Sequence, residues 1–248
     1  MNMDKKGKVY IVGLGPGGRQ QMTRRALEAI GDSQVILGYK VYTDLIEDLA
    51  EGKKVLASSM GRELERCKMA IDLAREGHNV SLVSSGDPGI YGMAGPFLEL
   101  NSKETEPVEA EIIPGITAAS TGAALLGAPL MHDMAIISLS DLLTPWEVIV
   151  KRLNLAAQGD FVTALYNPKS HGRPDYINQA REIFLEHRNP RTPVGIVRNA
   201  AREGEEITVT NLDEMLSHEM DMFSVVIIGN SRSYIQAGKF ITPRGYVL

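Results

Sequence analysis

The stretch Lys8-Val9-Tyr10-Ile11-Val12-Gly13-Leu14-Gly15-Pro16-Gly17-Gly18 decides the fold class. Its first half is an apolar run with almost no polar alternation, as in a strand covered on both faces of a parallel sheet. Its second half is a cluster of glycines, which lets the backbone turn tightly and approach something closely. An amphipathic segment, Thr23–Ile30, follows and stops at Gly31. Strand, glycine turn and helix in that order begin a βαβ series.

Working outward, the alternation repeats. Gln34–Tyr39, Lys54–Ala57, Asn79–Ser84 and Ala110–Ile113 read as strands, and Glu63–Glu76 and Thr117–Leu126 as helices. In the longer helix Leu64, Cys67, Ala70, Ile71 and Ala74 share one face, and Gly77 marks its end. After a connector, Gly127-Ala128-Pro129-Leu130-Met131, the pattern restarts with strands at Ala135–Leu139, Phe161–Tyr166, Val194–Val197, Glu206–Thr210 and Ser224–Ile228. Thr144 fits an N-cap, Pro145 the first helical position and Glu147 the third. Another helix spans about Asp175–His187. The expectation is an α/β protein of two α/β domains, 1–129 and 130–248. The first holds a parallel doubly wound sheet and the second a mixed sheet.

Composition narrows the function. The chain has 248 residues, 44% hydrophobic and 23% charged, which is ordinary for globular proteins. No apolar run is long enough to span a bilayer, and the polar start, Met1 to Lys8, lacks a signal-peptide core. A cytoplasmic protein with no membrane partner is expected. The formal charge of -5 argues against nucleic-acid binding through bulk positive charge, yet leaves room for an anionic small molecule held by local arginines. The single cysteine, Cys67, excludes an intrachain disulfide and reads as a helix residue on a half-buried face. Histidines 78, 132, 171, 187 and 218 are scattered with no i,i+4 pair, so no protein-bound metal is expected.

Three turns close strands one, four and five: Gly13-Leu14-Gly15-Pro16-Gly17-Gly18, Ser84-Ser85-Gly86-Asp87-Pro88-Gly89-Ile90-Tyr91 and Ile113-Pro114-Gly115-Ile116-Thr117-Ala118. Ligands of parallel sheets sit beyond the strands' carboxyl ends, so the three turns build one crevice at which Asp87 points. Asp87 as a cap of the following helix is the alternative. Thr117 starts a helix whose free N–H groups can receive a polar ligand. The first turn matches a dinucleotide fingerprint literally. However, Pro16 interrupts it and strand two ends Leu37-Gly38-Tyr39-Lys40, with no carboxylate for a ribose, which opposes a nicotinamide oxidoreductase.

The combination G-L-G-P-G, S-G-D-P-G-I-Y and I-P-G-I-T-A resembles the tetrapyrrole methylase family over essentially the whole chain. The resemblance implies S-adenosylmethionine as cofactor, S-adenosylhomocysteine as product, a ligand cleft between the two domains, a tetrapyrrole substrate and a homodimer. Local stretches, among them Gly38–Tyr42, Arg62–Cys67, Ser138–Trp146 and Thr242–Tyr246, resemble the branch that methylates C17 of a corrin precursor and contracts the ring. Their wording is nearer to the enzymes acting on cobalt-factor III than to those acting on precorrin-3B. A sibling acting on another tetrapyrrole carbon is the alternative.

Carried over by resemblance, Pro16 lies near the sulfonium, and Gly86, Asp87 and Ile90 line the amino-acid end and ribose. Thr117 and Ala118 meet the same ligand, while Asn167, Gly195 and Ile228 hold the adenine. Ring contraction calls for acid–base help, for which His132, Asp133, Asp141 and Tyr91 are candidates. His132 as a structural histidine and Asp141 as an aid to the following helix are the alternatives. Arg62, Lys169, Arg173 and Arg232 are candidate partners for substrate carboxylates, with solvated surface charge as the alternative for each.

Overall fold

The computed structural model describes residues 6–170, 172 and 175–247. The chain divides into two compact units, the first ending at Thr117 and the second starting at Ala118. The first unit alternates β1 (Lys8–Gly13), α1 (Arg24–Asp32), β2 (Val35–Tyr39), α2 (Lys40–Asp44), β3 (Lys54–Ser58), α3 (Glu63–Arg75), β4 (Val80–Ser84), α4 (Ala94–Asn101) and β5 (Glu109–Ile113). Its five strands lie in the order β3-β2-β4-β1-β5, all parallel.

The apolar runs bury both faces of this sheet because successive side chains point opposite ways. Val9, Ile11, Val35, Leu37, Val80 and Leu82 pack with Cys67, Ala70, Ile71 and Ala74 of α3 and Phe97 of α4. Their neighbours Tyr10, Val12, Ile36 and Val83 pack with Ala26, Ala29 and Ile30 of α1. The sheet is therefore doubly wound, as expected. Thr23 caps α1 by accepting the Ala26 N–H at 3.1 Å, and the helix continues through Gly31 to Asp32.

The second unit opens with α5 (Ala118–Leu126) and β6 (Gly127–Ala128), followed by β7 (Met134–Ser138), α6 (Trp146–Gln158), β8 (Val162–Tyr166), α7 (Tyr176–Leu185), β9 (Pro193–Arg198), β10 (Glu206–Asn211), β11 (Ser224–Ile228), β12 (Tyr234–Gln236) and β13 (Lys239–Ile241). Its main sheet has the order β10-β9-β11-β8-β7. Only β7 and β8 pair in parallel; β11 runs antiparallel to both β8 and β9. β7, β8 and β9 thus point one way and β10 and β11 the other, giving the mixed sheet expected. A small second sheet joins β12, β13 and β6.

Two local expectations shift. The sequence reading places α5 before a boundary at Pro129, whereas its contacts group it with the second unit. Its small residues let it lie close against that unit's sheet: a Cβ on Gly122 would stand 2.8 Å from Val225 Cγ1. α6 starts one residue later than expected, because Pro145 adopts an extended ψ of 140° and is itself the N-cap, with no side-chain capping bond.

Candidate active site

In the first unit every strand is parallel, so all five carboxyl ends share one edge. β1 lies between β4 and β5, which brings their three following turns together. Gly15 and Gly86 exchange two backbone hydrogen bonds, at 3.1 and 2.7 Å, each in the left-handed region with φ of 64° and 66°. Glycine is needed there because other side chains rarely adopt that conformation. A Cβ on Gly115 would lie 2.2 Å from the Gly86 carbonyl oxygen, so the third turn is packed against the other two without room for a methyl group.

Asp87 ties the second turn to the third. Its Oδ1 accepts the Gly89 N–H at 2.8 Å and its Oδ2 accepts the Gly115 N–H at 3.1 Å. It does not cap α4, which begins only at Ala94. A carboxylate offers about four acceptor positions, so Asp87 keeps acceptor capacity for a hydroxyl or ammonium group. Pro16, on the first turn, is buried, Ile90 is half-buried, and Tyr91 is 59% exposed with a φ of 55°. Arg62 follows β3 at the same edge and pairs with Glu65 at 3.2 Å. Thr117 is half-buried at the end of the third turn.

In the second unit the expected residues separate. Asn167, with φ of 52°, follows β8, and its Nδ2 donates to Ser138 Oγ at the end of β7. Ser138 Oγ also accepts the Ser140 N–H at 3.2 Å. Beyond it, Tyr176 donates to Asp141 Oδ2 at 2.7 Å, and its ring stacks on Trp146 at 3.8 Å. Lys169, two residues past Asn167, is exposed. At this carboxyl edge α5 also begins, with half-buried Ala118. One of its N–H groups, on Ala119, donates to the Tyr166 hydroxyl, so the helix end is partly occupied rather than wholly free.

His132 and Asp133 precede β7 and stand at its other end, roughly 16 Å away by strand rise. His132 faces its own neighbour, with Nδ1 3.7 Å from Asp133 Oδ2. Ile228 ends β11, which runs antiparallel, and pairs with Thr163 near the start of β8. Ile228 and exposed Arg232 therefore lie at the opposite edge from Asn167. Gly195 lies in the middle of β9, flanked by Val209 and Ile227, and a Cβ there would meet Leu126 at 2.3 Å. The structure accordingly does not gather Asn167, Gly195 and Ile228, nor His132 with Asp141. Arg173 lies outside the described residues.

The sequence reading missed Tyr176 and Trp146 as supports of Asp141, and the turn after β9. That turn carries Asn199 and Ala201 at φ of 49° and 56°, on the same edge as Asn167. Left-handed non-glycine residues cluster at functional sites. The Arg198-Asn199-Ala200-Ala201 sequence carries no glycine or proline to signal such a turn. Cys67 is fully buried and burial raises its thiol to about 11, so it is no nucleophile. Among the described residues no group of three or more His, Cys, Asp or Glu side chains is placed to hold a metal, and no helix is long and apolar enough to cross a membrane.

Comparison with known proteins decides the family. The profile described as Tetrapyrrole (Corrin/Porphyrin) Methylases matches residues 8–216. The chain is a tetrapyrrole methylase. Among its relatives is a Salmonella typhimurium protein named "Probable cobalt-factor III C(17)-methyltransferase". It is 50% identical to this methylase, over 96% of the chain and 99% of the relative. A Sinorhizobium sp. protein named "Precorrin-3B C(17)-methyltransferase" is 42% identical over 97% of each. The crystal structure of "the methyltransferase CobJ" superposes with a TM-score of 0.90 at 36% identity, covering 96% of the methylase and 100% of that chain. A uroporphyrin-III C-methyltransferase from Thermus thermophilus, solved with S-adenosylhomocysteine, gives 0.69 at 26% identity over 90% and 92%.

Proposed function

We propose that this methylase transfers the methyl group of S-adenosylmethionine to C17 of a corrin precursor, cobalt-factor III or precorrin-3B, and contracts the ring. The observation carrying this reading is the 50% identity, along nearly the full length of both chains, to the relative named for cobalt-factor III. Relatives named for both substrates match end to end, and the higher identity favours the cobalt form.

The first unit's edge suits the cofactor. Asp87 is a half-buried carboxylate with spare acceptor capacity, set among backbone groups that the glycines bring close. That donor and acceptor set fits hydroxyl and ammonium groups. Bound S-adenosylmethionine supplies a methyl already activated by its sulfonium. The acceptor carbon is electron-rich, so this step needs alignment rather than a strong protein base. Holding reactants in line is worth up to about 7–11 kcal/mol in favourable cases. In this reading Pro16, Gly86, Asp87, Ile90 and Thr117 hold the cofactor. Asp141, fixed by Tyr176, is the acid–base group of ring contraction in preference to His132 and Asp133. Lys169 is a partner for substrate carboxylates. We further infer that the methylase works in the cytoplasm as a homodimer; light scattering on the purified chain would test the dimer.

The deciding assay is anaerobic incubation with S-adenosylmethionine and either cobalt-factor III or precorrin-3B, followed by mass spectrometry. One added methyl group is expected on at least one of them. Failure to methylate either would overturn the proposal.

A further inference from the structure

The loop between β7 and α6 carries two adjacent leucines in water. Leu142 is 75% exposed and Leu143 is 96% exposed. Isolated exposed leucines are ordinary, but here both ends of the loop are held. On the entry side the Leu139 N–H donates to the Tyr166 carbonyl at 2.9 Å, and Ser140 is bonded to Ser138. In the middle Asp141 accepts from Tyr176. On the exit side Trp146 stacks on Tyr176 and its indole N–H donates to Gln179 Oε1 at 3.0 Å. The leucines thus sit on a loop held on both sides, which lowers the ordering cost of binding there.

The loop leaves the carboxyl end of β7, the strand that pairs in parallel with β8. Asn167 and Lys169 leave the same end of β8, and Asn167 is bonded to Ser138. Lys169 is exposed and makes no ion pair among the described residues. An apolar tip on the same strand edge as a cation complements a wide apolar ring with a rim of carboxylates. Two leucines are far less than the roughly 1,200–2,000 Å² that a stable chain–chain interface buries. We infer that Leu142 and Leu143 contact the apolar face of the tetrapyrrole substrate and fix its affinity. This rests on the tetrapyrrole reading of the proposed function.

The test replaces both residues, Leu142→Ser with Leu143→Ser, in the full chain. Both are exposed, so folding should survive, and a thermal melt checks this. Trp146 is the sole tryptophan and opens α6 directly after this loop, so its fluorescence reports binding of cobalt-factor III without requiring turnover. The double variant should bind cobalt-factor III roughly tenfold or more weakly, the scale of losing buried methylene contacts. Its affinity for S-adenosylhomocysteine, read by calorimetry, should not change. Leu142→Met with Leu143→Met should restore tetrapyrrole binding. Unchanged tetrapyrrole affinity in the serine variant overturns this inference and leaves the methylase reading standing. A fall in assembly mass overturns it too, because the leucines would then join two copies. No quenching in an unsubstituted chain that methylates the substrate overturns this inference alone, whereas no methylation overturns the proposed function.

Discussion

Asp87 gives each carboxylate oxygen to a different backbone amide, one on its own turn and one on the turn after β5. That geometry assigns it a structural task and leaves capacity for a ligand. Asp87→Ala removes both, and each unsatisfied amide costs about 1–3 kcal/mol when water cannot replace the partner. The variant should melt lower and bind S-adenosylhomocysteine at least roughly tenfold more weakly by calorimetry. Unchanged cofactor affinity would remove Asp87 from the site. The place of Asp87 was legible in the sequence because turns that follow parallel strands share one edge, whereas its bond to the Gly115 N–H was not. Asp141 was legible only as a candidate. Its support, Tyr176, comes from a helix 35 residues away, and nothing local announces such a pairing.

At the scale of elements, the turns are as constrained as the strands. A methyl group on Gly115 meets the backbone of two other turns, at 2.2 Å from Gly86 O and 2.7 Å from Gly13 O. Backbone has no rotamer to move away, so Gly115→Ala should cost about 3 kcal/mol, at the upper end of overpacking penalties. Gly18, in the same glycine-rich stretch as Gly13, has open space for at least 4 Å around the position a methyl group would take, and its φ of -82° suits any residue. Gly18→Ala should be neutral or stabilise by about 0.4–1 kcal/mol through the unfolded chain. Urea titration of the two variants separates the effects, and equal stabilities would contradict the packing argument. The central strands β1, β2, β4, β8, β9 and β11 were read from sequence to within a residue or two because burial on both faces keeps them largely apolar. α4 was not, since Gly95-Pro96 in its first turn imitates a loop, although proline is tolerated there. β12 and β13 are three residues each and largely exposed, too short for any period to show.

At the scale of the whole molecule, strand direction was the unreadable quantity. Parallel strands with helices between them declare their common edge, and the gathering of the three turns on that edge followed from it. In the second unit β11 looks like its neighbours in composition yet runs against them, which carries Ile228 to the far edge. Electrostatics also acts at this scale. Glu111 on β5 receives two bonds from Arg25 of α1, at 2.7 and 2.8 Å, and lies 3.0 Å from Lys8 Nζ of β1. Its hydrogen bond to Arg25, then that to Lys8, holds its carboxyl down at about 2, against 4.5 in the free group. The folded form is therefore the stronger acid. Its contribution is complete above pH of about 4.5 and disappears as pH falls toward about 2. Glu111→Gln should lower stability at neutral pH and flatten the acid limb of the stability curve between those values. An acid limb as steep as that of the unsubstituted chain would show that other carboxylates dominate it.

The central place of β1 has a consequence for synthesis. Val9 pairs with Val80 on one side and Ala110 on the other, so β1 has no strand partner until about seventy more residues exist. At roughly 5–20 residues per second the ribosome needs about 4–14 s to deliver β4, and longer to deliver β5. During that interval Val9, Tyr10, Ile11 and Val12 emerge as an unpaired, strand-prone stretch. The glycine turn that packs against the turns after β4 and β5 is likewise unsupported until Gly86 and then Gly115 arrive. Chains that terminate before β5 lack one wall of that edge, and the sticky strand they expose marks them for capture by chaperones and proteases.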